Sequence, residues 1–167
     1  MTRAAAATPS RPAFGLPGRI QAPNAQKRAL ALIGLGAGGA AMARGVGKSD
    51  LGAVDVTVVC NPPLGGGHAL EDIKTSGDDL HRAVREADMI FIVACRGDDV
   101  ALAPVVSRLA HERNAPVTAI YLVPPDLDTG MPTIEDQTLK TLRSGVEMLV
   151  IASDESYVTA MVAALGG

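Results

Sequence analysis

Six residues near the start of the apolar part of the chain have the types and spacing of a phosphate-binding turn. Gly34-Leu35-Gly36-Ala37-Gly38-Gly39 follows the apolar run 29–33 and precedes an Ala-rich stretch. This order predicts a strand, a loop and a helix whose first amide groups could hold an anion. Gly34 would allow a sharp turn, Gly36 the approach of a ligand, and Gly39 close packing of helix and strand. The pattern predicts nucleotide-related ancestry, and a glycine-rich turn without a ligand is the alternative.

Two cysteines and two loop aspartates are the other groups that could do chemistry. Cys60 and Cys95 each end a predicted strand, and with His68 they could bind a metal or react if those strands are neighbours. Two small buried apolar side chains are the simpler interpretation. Asp126 and Asp128 are predicted to lie in a solvated loop, with a metal pair as the alternative. The sequence contains neither a Ser–His–Asp arrangement nor a paired-cysteine zinc pattern, so we predict no catalytic residue and no metal site.

A regular alternation of apolar runs and amphipathic stretches must position these residues. Gly77 would allow a break in the second helix, and Asp78 would then be the N-cap of its second part. Thr133 and Asp136 are spaced like a capping box for the fourth helix. The acidic segment that contains Asp136 is expected to be solvated. We predict an α/β fold: a doubly wound, mainly parallel, Rossmann-like sheet of about five strands, ordered 3-2-1-4-5, with the glycine loop at its carboxyl edge. The predicted strands are 29–33, 54–60, 89–94, 117–123 and 146–152. The first predicted helix follows the glycine loop and ends near residue 45 or 47, and the other four span 70–87, 101–113, 133–144 and 154–165.

Length and charge limit the class of protein. With 167 residues, 47% of them apolar and 2% aromatic, the chain can form one domain with an aliphatic core. Residues 1–27 are rich in Pro, Ala and Arg, so we predict a disordered basic tail there, with an organelle transit peptide as the alternative, and a folded domain over 28–167. Five of the 15 basic groups and none of the 18 acidic groups lie in residues 1–28, so the remainder carries a net charge of −8. An acidic body argues against a nucleic-acid partner.

The sequence also gives expectations about location. No apolar run approaches the ~18 residues of a membrane span, and the N-terminal stretch lacks the apolar core of a secretory signal. Two cysteines without an export signal are typical of reduced thiols. We therefore expect a cytoplasmic protein with no membrane partner.

Four stretches, taken in order, resemble the nucleotide-binding half of the FtsZ/tubulin family. They are similar to the family's first glycine loop, to the strand before its signature loop, to the helix and strand after that loop, and to the helix and strand that close the half. The resemblance covers most of residues 29–153 and implies the fold of an FtsZ/tubulin GTPase domain, with GTP held by two loops of backbone amides. The stretches are IGLGAGG at 33–39, ADMIFIVA at 87–94, APVV at 103–106 with VTAI at 117–120, and LKTL at 139–142 with VEMLVI at 146–151.

The chain departs from this family at the signature loop, which should wrap the phosphates with a GGGTGTG-like run. Here Arg96 and Gly97 remain candidate binding residues, because an arginine would offset part of a phosphate's charge, but Asp98 and Asp99 place two carboxylates at the same point. We expect one of these carboxylates to cap the helix that begins near Ala101, so that the protein itself fills the anion site. A bound magnesium ion would reverse this argument. The chain also ends where the family's second domain would begin, so the resemblance implies neither a complete GTPase site nor the usual filament contacts.

These observations predict a non-catalytic FtsZ/tubulin-like domain that acts as a binding or scaffolding protein. Its partner would be another protein or a copy of itself, bound through the face that a second domain would cover. The cofactor is unknown, with GTP possible but disfavoured. The alternative is a Rossmann-like protein that binds GTP or NAD(P) with weak or no hydrolysis. Dinucleotide sites place an acid after the second strand, where this chain has Asn61, which could still hydrogen-bond a ribose.

Overall fold

The computed structural model describes residues 28–49, 51, 54–61, 70–123 and 136–164. Within them, strands and helices alternate strictly, as the sequence pattern predicts. The predicted tail, His68, the pair Asp126 and Asp128, and Thr133 lie outside the described residues. The strands are β1 (Ala29–Leu35), β2 (Asp55–Asn61), β3 (Met89–Cys95), β4 (Val117–Leu122) and β5 (Met148–Ala152), and the helices are α1 (Gly36–Val46), α2 (Leu70–Glu86), α3 (Ala103–His111), α4 (Gln137–Gly145) and α5 (Glu155–Ala164).

All five strands are parallel, which confirms the predicted α/β class, but the predicted order 3-2-1-4-5 is wrong. The observed order is β2-β1-β3-β4-β5, so β3 lies beside β1 and not beside β2. Asp88, just before β3, stabilises the pairing of β3 with β1. Its backbone N–H donates to Ala29 O at 2.8 Å, and its Oδ2 accepts from Ala29 N at 3.0 Å. Strand β2 lies on one side of β1, and β3, β4 and β5 follow on the other side, so the order of strand addition reverses between β1 and β3. In doubly wound sheets, the carboxyl edge at such a point is where ligands bind.

Helices cover both faces of the sheet with aliphatic side chains. On one face, α2, α3 and α4 pack against residues such as Ile33, Ile92 and Tyr121. On the other, α1 and α5 pack against residues such as Leu32 and Phe91. The central strands β3 and β4 are therefore buried on both sides, which explains their unbroken apolar sequences.

Two local expectations about helices need correction. Helix α2 runs through Gly77 without a break, because the amphipathic stripe that includes Leu80 and Val84 packs on the core and holds the helix together. Helix α4 begins at Gln137, with Asp136 as its N-cap. In the described part of the chain, none of the helices combines the length and apolar character that crossing a bilayer requires.

Candidate functional site

The candidate site lies where the loops after β1 and β3 meet at the carboxyl edge of the sheet. Strand β1 leads into α1 through the predicted glycine loop, and β3 leads into α3 through residues 96–102. Since β1 and β3 are hydrogen-bonded neighbours, the two loops face each other. The structure therefore brings the glycine loop together with Arg96, Gly97 and Asp98, which are distant in sequence.

The glycines are required by close contacts, although not all in the predicted roles. Gly36 makes the turn from strand to helix with a φ of +71°, and a Cβ there would lie 2.4 Å from the Asp98 Cβ. Gly39 packs so closely on β3 that a Cβ would lie 2.2 Å from the Val93 carbonyl oxygen, which confirms its role in helix–strand packing. Gly34 was expected to form the turn, but it remains within β1, where it packs against the backbone of Gly39.

The carboxylate of Asp98 occupies the anion-binding end of α1. Its Oδ1 accepts from Gly38 N at 3.0 Å, and its Oδ2 accepts from Gly39 N at 2.8 Å and from Cys95 N at 2.7 Å. Helix α1 has no acidic residue in its first turn and no side-chain cap of its own. Asp98 therefore supplies, from the opposite loop, the negative charge and the acceptors that the start of a helix favours.

A tight turn aims this carboxylate. Asp98 N donates to Cys95 O at 3.1 Å, and Gly97 takes the left-handed φ of +83° that the turn needs. Outside the turn, Thr138 Oγ1 donates to Asp98 O at 2.9 Å and ties α4 to the loop. The backbone of Asp98 is thus held on both sides of its Cα, and this fixes the direction of its carboxylate.

The neighbouring aspartate has a different role. Asp99 is exposed, and its Oδ1 accepts from Ala101 N at 3.0 Å in the turn that leads to α3. The prediction that the protein fills its own anion site is confirmed, but the carboxylate that fills it acts on α1 rather than on α3. Asp99 alone serves the turn before α3, which begins at Ala103.

Arg96 forms an ion pair with an acid at the start of α4. Its Nε lies 3.7 Å from Asp136 Oδ2, and Asp136 also accepts a hydrogen bond from the Tyr121 hydroxyl and caps α4 by accepting from Leu139 N at 3.0 Å. The Asp136 side chain is only 5% exposed, so the expectation that it is solvated is wrong, whereas the expectation that this acid caps a helix is confirmed. Burial and the bond to Asp136 raise the pKa of Tyr121. In this network, the Arg96 guanidinium is paired with the buried carboxylate of Asp136.

An open cavity of about 680 Å³ adjoins these residues. Acidic side chains outnumber the single arginine along its wall, and the carboxylates of Asp98 and Asp136 are already hydrogen-bonded within the protein. The lining residues are 96–101, Asp136, Gln137, Thr138 and Thr141.

The two cysteines are separated rather than paired. Cys60 is the penultimate residue of β2 and lies beside Gly34 of β1. Cys95 is the last residue of β3, on the other side of β1, so β2 and β3 are not neighbours. Cys60 Sγ donates to Ala40 O at 3.4 Å and accepts from Arg44 Nε at 3.5 Å. Burial, together with the charges of Asp98 and Glu155, raises the pKa of Cys95 to about 11. Among the described residues, no group of three His, Cys, Asp or Glu side chains could hold a metal ion.

Two other predicted binding residues lie at the same edge. Ala37 is exposed in the first turn of α1, and Asn61 ends β2 opposite Leu35. Sequence reasoning did not find the Arg96–Asp136–Tyr121 network. Its one available signal was the position of Asp136 directly before an amphipathic helix, which is typical of an N-cap and therefore of an ordered acid.

Comparison of the chain with protein-family models and with curated proteins finds no match.

Proposed function

We propose that this chain is a non-catalytic FtsZ/tubulin-like domain that acts as a binding or scaffolding protein and does not hold GTP in its glycine cleft. The family assignment rests on the resembling stretches and their order along the chain, whereas the parallel sheet supports the α/β class alone. The single observation that carries the proposal is that the carboxylate of Asp98 occupies the amides of Gly38, Gly39 and Cys95.

The reason for excluding GTP is competition for these amides. A phosphate bound at the start of α1 would need the N–H groups that Asp98 already uses. If the carboxylate stayed nearby, each charge pair would cost about 1–4 kcal/mol under water-like to surface-like screening. Arg96 would offset little of this, because its guanidinium faces Asp136. We therefore expect GTP to bind more weakly than ~100 μM, or about −5.5 kcal/mol.

A role in protein binding is supported by exposed apolar side chains in the last two elements that the structure describes. Among the described residues, the exposed large apolar side chains all belong to β5 or α5: Met148 at 58%, Ile151 at 41% and Tyr157 at 47%. Exposed apolar side chains on an edge strand are a feature of positions that bind another protein. We also propose a cytoplasmic location, supported by the two free thiols.

The experiment is calorimetric titration with GTP and magnesium of the unmodified protein and of the double variant Asp98→Gly, Asp99→Thr. The double variant should bind more tightly, because it frees the amides and removes both charges. Asp99→Thr alone is the matched control and should bind as weakly as the unmodified protein, because Asp98 still fills the site. Circular dichroism establishes that each variant is folded.

Low-micromolar binding of GTP by the unmodified protein would overturn the proposal and favour a nucleotide-binding protein. A parallel titration with NAD(P) applies the same criterion to a dinucleotide. If no folded form binds either ligand, the glycine loop is purely structural, and the non-catalytic assignment stands.

A further inference from the structure

We propose that β5 pairs antiparallel with β5 of a second copy of the chain, so that two five-stranded sheets join into one. This inference rests on the proposed binding function and names its partner and surface. Among the described strands, β5 pairs with β4 alone and therefore forms one edge of the described sheet. Natural edges are usually protected by charge, proline or a bulge, and the five residues MLVIA contain neither charge nor proline.

The exposure of β5 points to a strand as its partner. Met148 lies on the α1 and α5 face, opposite Thr118, and is 58% exposed. Ile151 lies on the other face, opposite Tyr121, and is 41% exposed. A helix docking on one face would leave the other side chain in water. An added strand continues both faces and places apolar side chains next to both residues.

Some backbone groups of β5 point away from β4, towards the side on which no other described strand lies. Val123 N donates to Ala152 O at 2.9 Å, so Ala152 directs its backbone groups towards β4. Orientation alternates along a strand, so Leu149 and Ile151 direct their N–H and C=O groups outwards. These are the groups that an added strand would bind.

The sequence selects one register for a two-fold pair. A two-fold axis perpendicular to the sheet carries each face onto itself, so opposing residues must share a face. Centring the pair on Val150 places Leu149 opposite Ile151 of the second copy, and Met148 opposite its Ala152. All opposing pairs within residues 148–152 are then apolar, and Leu149 and Ile151 exchange backbone hydrogen bonds.

Neighbouring registers are less favourable because each of them places a charged residue opposite an apolar residue of the second copy. A shift by two residues in one direction places Glu147 opposite Ile151, and a shift in the other places Asp154 opposite Met148. The register centred on Val150 instead places Glu147 opposite Ser153, without like charges in direct opposition. The strand is therefore complementary to itself in one arrangement, which favours a second copy over an unrelated strand.

Cysteine cross-linking tests this register in the 167-residue chain, with Cys60 and Cys95 replaced by serine. Val150→Cys should form a disulfide-linked dimer on mild oxidation, because opposing residues at a non-hydrogen-bonded position lie about 4.5 Å apart at Cα, within disulfide range. Ile151→Cys is the matched control. Its copies lie diagonally, more than about 7 Å apart, and should link at least about tenfold less.

Sedimentation velocity over a concentration series tests the dimer without cross-linking. One strand pair is a small interface, so we expect a dissociation constant of about 10–1000 μM. Met148→Lys should weaken the dimer at least about tenfold, because each lysine would be buried against an apolar strand. Thr57→Lys, on the exposed side of the opposite edge strand β2, should leave the dissociation constant unchanged.

A monomer at all concentrations, together with equal cross-linking of Val150→Cys and Ile151→Cys, would overturn the pairing. Equal weakening by Met148→Lys and Thr57→Lys would also contradict it. These readouts contain no nucleotide, so they are independent of the GTP titration. The pairing can fail while the glycine cleft remains closed to GTP, and the reverse outcome is equally distinguishable.

Discussion

Removing the Asp98 carboxylate should destabilise the fold far more than removing its neighbour. Asp98→Ala leaves the amides of Gly38, Gly39 and Cys95 without their acceptor and removes the negative charge from the start of α1. A hydrogen bond to a charged group contributes about 1.5–3 kcal/mol, and water recovers part of this because the site is only partly buried. We expect a loss of about 3–5 kcal/mol in the free energy of unfolding, measured by urea denaturation with circular dichroism.

Asp99→Ala is the control for charge and position in the same loop. It removes one exposed hydrogen bond, to Ala101 N, and should cost about 0.5–1.5 kcal/mol. Equal losses in the two variants would refute the assignment of Asp98 as the internal anion of α1.

An added anion should partly restore the Asp98→Ala variant. If phosphate binds the freed amides with a dissociation constant of about 10 mM, then about 100 mM phosphate stabilises the fold by about 1.4 kcal/mol. The unmodified protein should show no such gain over chloride at equal ionic strength, because its amides are occupied. The absence of rescue in the folded variant would contradict an anion-binding geometry at these amides.

Two further outcomes follow from the same region. Gly39→Ala should lower the free energy of unfolding by at least about 3 kcal/mol in urea denaturation, because its Cβ would clash with the Val93 carbonyl. Gly45→Ala, with open space around the new Cβ, should instead stabilise α1 by about 0.5–1 kcal/mol. Equal effects of the two substitutions would contradict the close contact at Gly39. The native fold raises the pKa of the Cys95 thiol from 9.0 to about 11, so stability should fall as pH rises through this interval, and alkylation of Cys95 should be slow at pH 8. Mass spectrometry of the alkylated peptide measures the second effect, and rapid modification at pH 8 in the folded state would contradict the raised pKa.

The fold was largely predictable because its elements carry local signals. The apolar run 89–94 and the β-branched run 54–60 are within one residue of β3 and β2. Strand order was not predictable, since the alternation of strands and helices does not determine on which side of β1 the third strand lies. The position of β3 beside β1 is stabilised by contacts such as that of Asp88 with Ala29, which join residues 59 positions apart in the sequence.

The helix that Asp98 caps was misassigned for a local reason. An acid directly before a predicted helix is typical of an N-cap of that helix, which here is α3. Helix α1 is adjacent to Asp98 only in the folded chain. Once β1 and β3 are neighbours, Asp98 faces the glycine loop, and its three amide partners follow. The residue type was identified from sequence, whereas its partner depended on tertiary structure.

An anion that belongs to the chain changes how the domain responds to its surroundings. A freely diffusing ligand stabilises its binding state by an amount that grows with the logarithm of its concentration, and it leaves when that concentration falls. A tethered carboxylate is present at a fixed effective concentration in every molecule. Under the proposed function, the loops around the Asp98 carboxylate would keep one arrangement whatever the nucleotide concentration, and assembly through β5 would depend on the amount of protein alone.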